Sequence, residues 1–270
     1  MREIGITTGY GFKMTSENLR ALKEGGLSAI EVSLNKDVDF KEVYNLAKPY
    51  DIKLWSCHLP FKPVDELDIS IEDPALRKLM INYHSEKIKQ GSDVGIKRFV
   101  MHPSTPIPEE RRAERKKCAM DTLSKLAPVA KECGAVICVE DMTLPCLGNS
   151  ADELLEIISV DDSLRICFDV NHLFNDTHEE FARKVKGKVA TVHISDYNFI
   201  KEGHVFPGKG KINWPEVYKN VCDTGYEGVW LYELGREGTK DTGEKIQFSF
   251  KDFYDVSVDI FNGIQPPIPY

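Results

Sequence analysis

Six ionisable residues stand at or near the ends of six short apolar runs: His58, His102, Glu140, Asp169, His193 and Glu233. Glu31 lies earlier, inside a further run. Charged groups are costly in an apolar setting unless they are paired or bound to a metal. Carboxylates and imidazoles brought face to face repel or titrate unless a cation compensates them. If the runs end on one surface, a divalent metal is the simplest account of the set, and Lewis-acid catalysis is the chemistry it brings. Taken singly, each residue has a plainer role. A histidine at a strand end can be a hydrogen-bonded structural residue, and a glutamate there can cap a helix or complete an ion pair. Six of them at successive run ends point to a functional site.

The runs that must position these groups are 3–8 (EIGITT), 29–34 (AIEVSL), 52–58 (IKLWSCH), 98–102 (RFVMH), 135–140 (AVICVE), 164–170 (LRICFDV), 188–194 (KVATVHI) and 228–234 (GVWLYEL). Several are continuously apolar, which suits parallel strands covered on both faces. Between them the periodicity and start signals predict helices over 15–24, 40–47, 74–90, 109–131, 151–158, 179–185, 215–222 and 250–261. Strand and helix alternate eight times in 270 residues, about 34 residues per unit, as in a (β/α)8 TIM barrel. In a parallel barrel all strand C-termini open on one mouth, so the six side chains would converge there. A doubly wound open sheet is the alternative and would need a switch point and a glycine-rich first turn. Gly9-Tyr10-Gly11 follows the first run, but no third glycine completes a dinucleotide fingerprint.

No linker, composition break or low-complexity tract divides the chain, so residues 1–270 are expected to form a single domain. The 35 Lys+Arg against 43 Asp+Glu leave a formal net charge of −8, which weighs against a polyanionic partner. No apolar run approaches the roughly 18 residues of a membrane helix, and the first residues lack the apolar core of a signal peptide. A cytoplasmic protein is expected. The seven cysteines form no CxxC pair and read as reduced, mostly buried thiols. Tyr10, Phe12, Trp55, Phe61 and Trp230 could wall a ligand site or belong to the core. The segment 264–270 (IQPPIPY) is expected to pack across the barrel bottom or on a neighbouring subunit.

The ordered set His58-Leu-Pro-Phe, His102-Pro, Val-Glu140-Asp-Met, Phe-Asp169-Val-Asn-His172, Val-His193-Ile-Ser-Asp, His204-Val-Phe-Pro-Gly-Lys-Gly-Lys-Ile-Asn-Trp and Leu-Tyr-Glu233-Leu resembles the xylose isomerase-like barrel superfamily. That superfamily holds sugar isomerases and epimerases, inosose-type dehydratases and endonuclease IV. The resemblance implies a metal held by Glu140, Asp169, His193 and Glu233. Three oxygens and one nitrogen suit Mn²⁺, Mg²⁺ or Co²⁺. It further implies substrate contacts from His58, His102, His172 and His204. Lys209, between Gly208 and Gly210, or Lys211 could meet a phosphate, or the glycines could simply form a tight loop into the next helix.

The function implied is a divalent-metal-dependent isomerase or epimerase of a sugar or sugar phosphate. It would transfer a proton alpha to a carbonyl through a metal-stabilised enediolate, with Glu140 and Glu233 as the catalytic acid and base. Its partner would be a small-molecule sugar, with no nucleic acid and no membrane, and a homodimer is left open. The alternatives are an endonuclease IV-like phosphodiesterase with Zn²⁺ acting on abasic DNA, or a cyclitol-type dehydratase. The chain departs from ketohexose 3-epimerases in two places. Asp-Met-Thr-Leu-Pro-Cys follows Glu140, and Phe199 stands where those enzymes carry an arginine. For the phosphodiesterase, Glu202-Gly-His204 replaces the Asp-x-His of a third metal site.

Overall fold

The computed structural model describes residues 2–33, 38–239 and 244–267. Eight strands alternate with the helices: β1 (Ile4–Thr7), β2 (Ala29–Ser33), β3 (Lys53–His58), β4 (Arg98–Met101), β5 (Val136–Glu140), β6 (Arg165–Asp169), β7 (Val189–His193) and β8 (Trp230–Tyr232). The helices are α1 (Ser16–Glu24), α2 (Phe40–Ala47), α3 (Val64–Leu67), α4 (Pro74–Asp93), α5 (Arg112–Glu132), α6 (Ala151–Ile158), α7 (His178–Lys184), α8 (Trp214–Asp223) and α9 (Phe250–Phe261). Polar caps start most of them. Thr15, Asp39, Asp73, Ser150, Thr177, Asn213 and Ser249 each accept hydrogen bonds from first-turn amides. Those amides have no partner inside the helix, so the caps fix where each return segment leaves the mouth.

The strands are all parallel, in the order β7-β6-β5-β4-β3-β2-β1-β8. The two ends of that order meet. Ile194 N–H donates to Leu231 O at 2.9 Å, and Glu233 N–H donates to Ile194 O at 3.0 Å. This closes the sheet and excludes the open doubly wound alternative. The protein is a single (β/α)8 TIM barrel. The second run of the sequence reading ended at Leu34, which lies outside the described residues. Two elements escaped the sequence reading: the short α3, and an antiparallel hairpin of β9 (Glu237–Thr239) and β10 (Lys245–Gln247) after the last barrel strand.

Alternation along the strands splits the core. Ile137, Val139, Ile166, Phe168 and Val192 belong to the large apolar layer between barrel and helices. Val100, Cys138 and Cys167 form a separate small cluster, two residues before His102, Glu140 and Asp169. A period of two places these small residues in the interior beneath the mouth. At the barrel's other end the Arg98 guanidinium lies 3.5 Å from the Trp55 ring centre, and Trp55 Nε1 donates to Thr191 at 3.1 Å. Trp55 and Trp230 are therefore core, as is Phe12, which packs on that core. All seven cysteines are free thiols, and Cys57, Cys118, Cys138, Cys146 and Cys167 are buried. No helix among the described residues is long and apolar enough to cross a membrane.

The C-terminal segment corrects the expectation made for it. Its described part runs beside the start of α8, where Gln265 accepts from Trp214 N–H at 2.8 Å and donates to Ile212 O at 2.9 Å. It does not cross the barrel bottom; residues 268–270 lie outside the description.

His84 on α4 is fully buried, with Nε2 3.3 Å from Leu67 O and no partner at Nδ1. Burial lowers its pKa to about 4, more than the Leu67 hydrogen bond raises it. The folded state therefore binds this proton less readily than the unfolded chain. Stability supported by neutral His84 is complete above about pH 6.5 and is lost as pH falls toward 4, by roughly 3 kcal/mol. Urea unfolding at pH 7 and pH 4.5 should show this loss, and His84→Phe should make the pH dependence shallower. An unchanged dependence in that variant would remove His84 from the account.

Candidate functional site at the barrel mouth

Glu140, Asp169 and His193 end β5, β6 and β7, and Glu233 follows β8. Each offers one ligand atom, and the four atoms lie within 4.8 Å of one another. His193 Nδ1 is 3.0 Å from Glu140 Oε1 and 3.3 Å from Glu233 Oε2. Asp169 Oδ2 and Glu233 Oε2 are buried and lack a hydrogen bond. A buried carboxylate oxygen without a donor is costly. A divalent cation among these atoms would satisfy both, so the donor set fits a metal ion.

Two neighbouring groups share the mouth. His58 Nε2 and His102 Nε2 each lie 3.2 Å from Glu140 Oε2 and 3.2 Å from each other. Glu202 Oε1 lies 2.8 Å from His204 Nε2 and 3.7 Å from His172 Nε2. Ligand atoms of His58, His102 and Glu140, and those of His172, Glu202 and His204, also converge within 4.8 Å.

The protein backbone chooses tautomers for this set. His58 Nδ1 lies 3.0 Å from Leu59 O, His172 Nδ1 2.7 Å from Asp141 O, and His204 Nδ1 3.0 Å from Glu233 O. A carbonyl oxygen only accepts, so each Nδ1 carries a hydrogen. Each Nε2 is thereby turned toward a carboxylate at the mouth.

The charges are tightly linked. Burial alone would raise the Glu140 carboxyl, but the charges and hydrogen bonds of His193 and His102 hold it well below the usual range. Burial also works against Glu233, and His193 outweighs it to hold that carboxyl at about 2. Asp169 goes the other way: burial pushes it above the usual carboxylate range, further than His172 pulls it back. Burial would lower His58 and His204, yet hydrogen bonds to Glu140 and Glu202 raise each to about 9. For His102 burial prevails and its pKa falls. Protons on imidazoles thus balance the carboxylates, and a metal would displace such protons on binding.

Above these groups opens a cavity of about 470 Å³. Phe61 forms one wall, stacked on His102 with ring centres 4.2 Å apart. Tyr10 forms another, 5.2 Å from the His204 ring, carried on a turn with φ of +51° at Tyr10 and +79° at Gly11. Gly9 and Gly11 thus belong to a turn that presents an aromatic wall.

Of the residues singled out from sequence, His58, His102, His172, His204, Glu140 and Glu233 line this cavity; Asp169 and His193 do not, and are buried beside Glu140 and Glu233. Lys209 does not line it and is the correction. Its glycine neighbours serve Asp196. The Asp196 carboxylate accepts from Gly208 N–H at 2.8 Å, Ile212 N–H at 3.2 Å and Trp214 Nε1–H at 3.1 Å. A Cβ on Gly210 would lie 2.1 Å from Asp196 Oδ1 and 2.3 Å from Tyr197 O. The glycines permit that close approach. The lysine that lines the cavity is Lys62, at the rim. Phe199 lines a separate groove beside α7 and packs on Tyr197 at 4.5 Å. Sequence reasoning gave no positive role to Glu202, which follows no strand and is 41% exposed at its side chain. Its spacing two residues before His204 was the available signal.

A family model described as xylose isomerase-like TIM barrel matches residues 19–251. The chain belongs to that family. Within the family, it is 25% identical over 224 residues to an uncharacterised protein of Methanocaldococcus jannaschii, covering 81% of this chain and 87% of that one. It is 22% identical over 218 residues to D-psicose 3-epimerase of Ruminiclostridium cellulolyticum, covering 77% and 72%. It is 26% identical over 203 residues to a probable endonuclease 4 of Finegoldia magna, covering 69% and 70%. The crystal structure of a D-tagatose 3-epimerase-like protein shares the fold with a TM-score of 0.75 at 22% identity, over 96% of this chain and 98% of that one.

The glycine argument is testable. Gly210→Ala should destabilise the fold by about 1–3 kcal/mol, the usual range for overpacking, because the clash is with backbone and a buried carboxylate. Chemical denaturation of this variant beside the wild type checks it, and equal stability would refute it.

Proposed function

We propose that the protein is a divalent-metal-dependent isomerase or epimerase of a sugar or sugar phosphate, working by proton transfer next to a carbonyl. The observation that carries this reading is the convergence of Glu140, Asp169, His193 and Glu233 within 4.8 Å, two of them lining a cavity, with two carboxylate oxygens left without donors. The epimerase relatives support the same class. A divalent ion held by these four residues would supply Lewis-acid stabilisation of the charge that develops on a carbonyl oxygen.

The chain's own groups do the rest. Glu140 and Glu233 reach the cavity from strands on different sides of the mouth, and we assign the two proton transfers to them. Glu233 is the more open of the pair, at 12% side-chain exposure against 1% for Glu140. Glu140 Oε2 is held between His58 and His102, which orient the carboxylate beside the cavity. His172 and His204 face the cavity from the opposite wall. Phe61 and Tyr10 exclude water from an apolar ring face. Lys62, in place of Lys209, would meet a phosphate at the rim. The changed residues after Glu140 and the placement of Phe199 outside the cavity favour a substrate other than a free ketohexose. A dehydratase acting on a cyclitol-type ketone would use the same proton removal.

A second reading is supported by two of the three further ligand groups, His58/His102/Glu140 and His172/Glu202/His204, the third being Glu140/Cys167/His193. With tautomers turned toward the mouth, they could hold additional ions, as a zinc phosphodiesterase acting on abasic DNA requires.

Metal content separates the readings. Elemental mass spectrometry of protein purified without chelator should find about one Mn, Mg or Co per chain. Two or three tightly held zinc ions would favour the phosphodiesterase.

Turnover should fall by about 10²–10⁴-fold in Glu140→Gln and in Glu233→Gln, with unchanged circular dichroism. Near-full activity in either variant would remove that residue from the proton transfers.

A further inference from the structure

We infer that Glu31 is a positioning residue that keeps the proton of His193 on Nε2, leaving Nδ1 free to hold the divalent ion. This rests on the metal reading proposed above. Glu31 lies in the middle of β2 and is wholly buried. Its place is set by a register shift between β2 and β3. Ile30 pairs with Leu54, but Glu31 pairs with Ser56, so Trp55 is skipped. The shift brings Ser56 beside Glu31, and Ser56 Oγ–H donates to Glu31 Oε2 at 2.7 Å.

His193 is the ion-pair partner of this carboxylate. Its Nε2 is hydrogen-bonded to Glu31 Oε2 at 3.2 Å and lies 3.2 Å from Oε1, which accepts no hydrogen bond. The other ring nitrogen, Nδ1, faces Glu140 and Glu233. A neutral imidazole has one N–H to give. If Nδ1 carried it, the hydrogen would point at Glu140 and block the metal position. If Nε2 carries it, the hydrogen meets Glu31, and the Nδ1 lone pair faces the metal position with the carboxylates.

Glu31 favours the second state because it is a charged acceptor held in place by Ser56. His58, His172 and His204 have their free nitrogen chosen by backbone carbonyls. His193, buried among acidic groups, has it chosen by a carboxylate. Stability alone gives little reason for a wholly buried carboxylate in the barrel interior, where apolar residues of similar volume are often as good or better. Orientation of a metal ligand gives one, since carboxylate partners of ligating histidines fix the tautomer and raise ligand basicity.

The test is Mn²⁺ titration of the metal-stripped full chain, comparing wild type with Glu31→Gln, both checked for fold by circular dichroism. The variant should bind Mn²⁺ about 10–100-fold more weakly, the range typical of such partners. A second readout needs no variant. Long-range ¹⁵N–¹H correlation spectra of the wild type loaded with diamagnetic Zn²⁺ should show His193 protonated at Nε2. Equal Mn²⁺ affinity in a folded Glu31→Gln variant, or a His193 protonated at Nδ1, would overturn the inference. A wild type that binds no divalent ion would overturn the metal reading with it. Tight wild-type binding with an unaffected variant would overturn the role of Glu31 alone. If Glu31→Gln does not fold, the tautomer spectrum decides.

Discussion

The structure is organised around one electrostatic constraint: carboxylates from four different barrel strands are held out of bulk water within reach of one another. Glu31, Glu140, Asp169 and Glu233 are all buried, and such groups repel unless positive charge lies among them. Protonated imidazoles, those of His58 and His204 among them, supply that charge, and the donor geometry suits a metal in their place. Four of the five histidines at the mouth are anchored by one nitrogen and present the other. The anchors are backbone carbonyls for His58, His172 and His204, and the Glu31 carboxylate for His193. Orientation is thus decided by the rigid strands and the turns leaving them.

The layer beneath the mouth is shaped by the same demand. The ligand layer has to be close to the barrel axis, so the residues one step lower are small. Val100, Cys138 and Cys167 fill that level, with Cys167 Sγ also within 4.8 Å of ligand atoms of Glu140 and His193. Ser56 and Glu31 share the interior through a shifted strand register. Bulges of this kind re-aim side chains near sites. Loops complete the enclosure. Asp196, buried after β7, draws the glycine-containing segment 208–210 onto itself by backbone hydrogen bonds. The turn after β1 carries Tyr10 over His204.

Membership in the xylose isomerase-like family accounts for the fold. It does not set the reaction. The relatives span epimerases and an endonuclease, and the mouth of this chain carries groups that serve either chemistry. What distinguishes them physically is the number of ions the groups hold and the loops that admit the substrate. Here the cavity is walled by Phe61 and Tyr10 and carries Lys62 at its rim.

By itself the sequence determined the barrel and the identity of the converging groups. Strand patterning, capping residues and eightfold alternation are local properties, and α2, α6 and α9 match their predicted bounds residue for residue. Strand-end positions were enough to bring Glu140, Asp169, His193 and Glu233 together, because parallel topology forces it. The tertiary structure alone decided what depends on register and loop paths. Lys209 looked like a ligand contact because its glycines suggest a cradle; their purpose appears only when Asp196 is seen beneath them. Lys62 and Glu202 lie in loops whose course no periodicity encodes. Glu31 was visible as a misplaced charge, but its contact with His193 spans the barrel between β2 and β7. Closure of the barrel makes that contact, and no spacing along the chain could announce it.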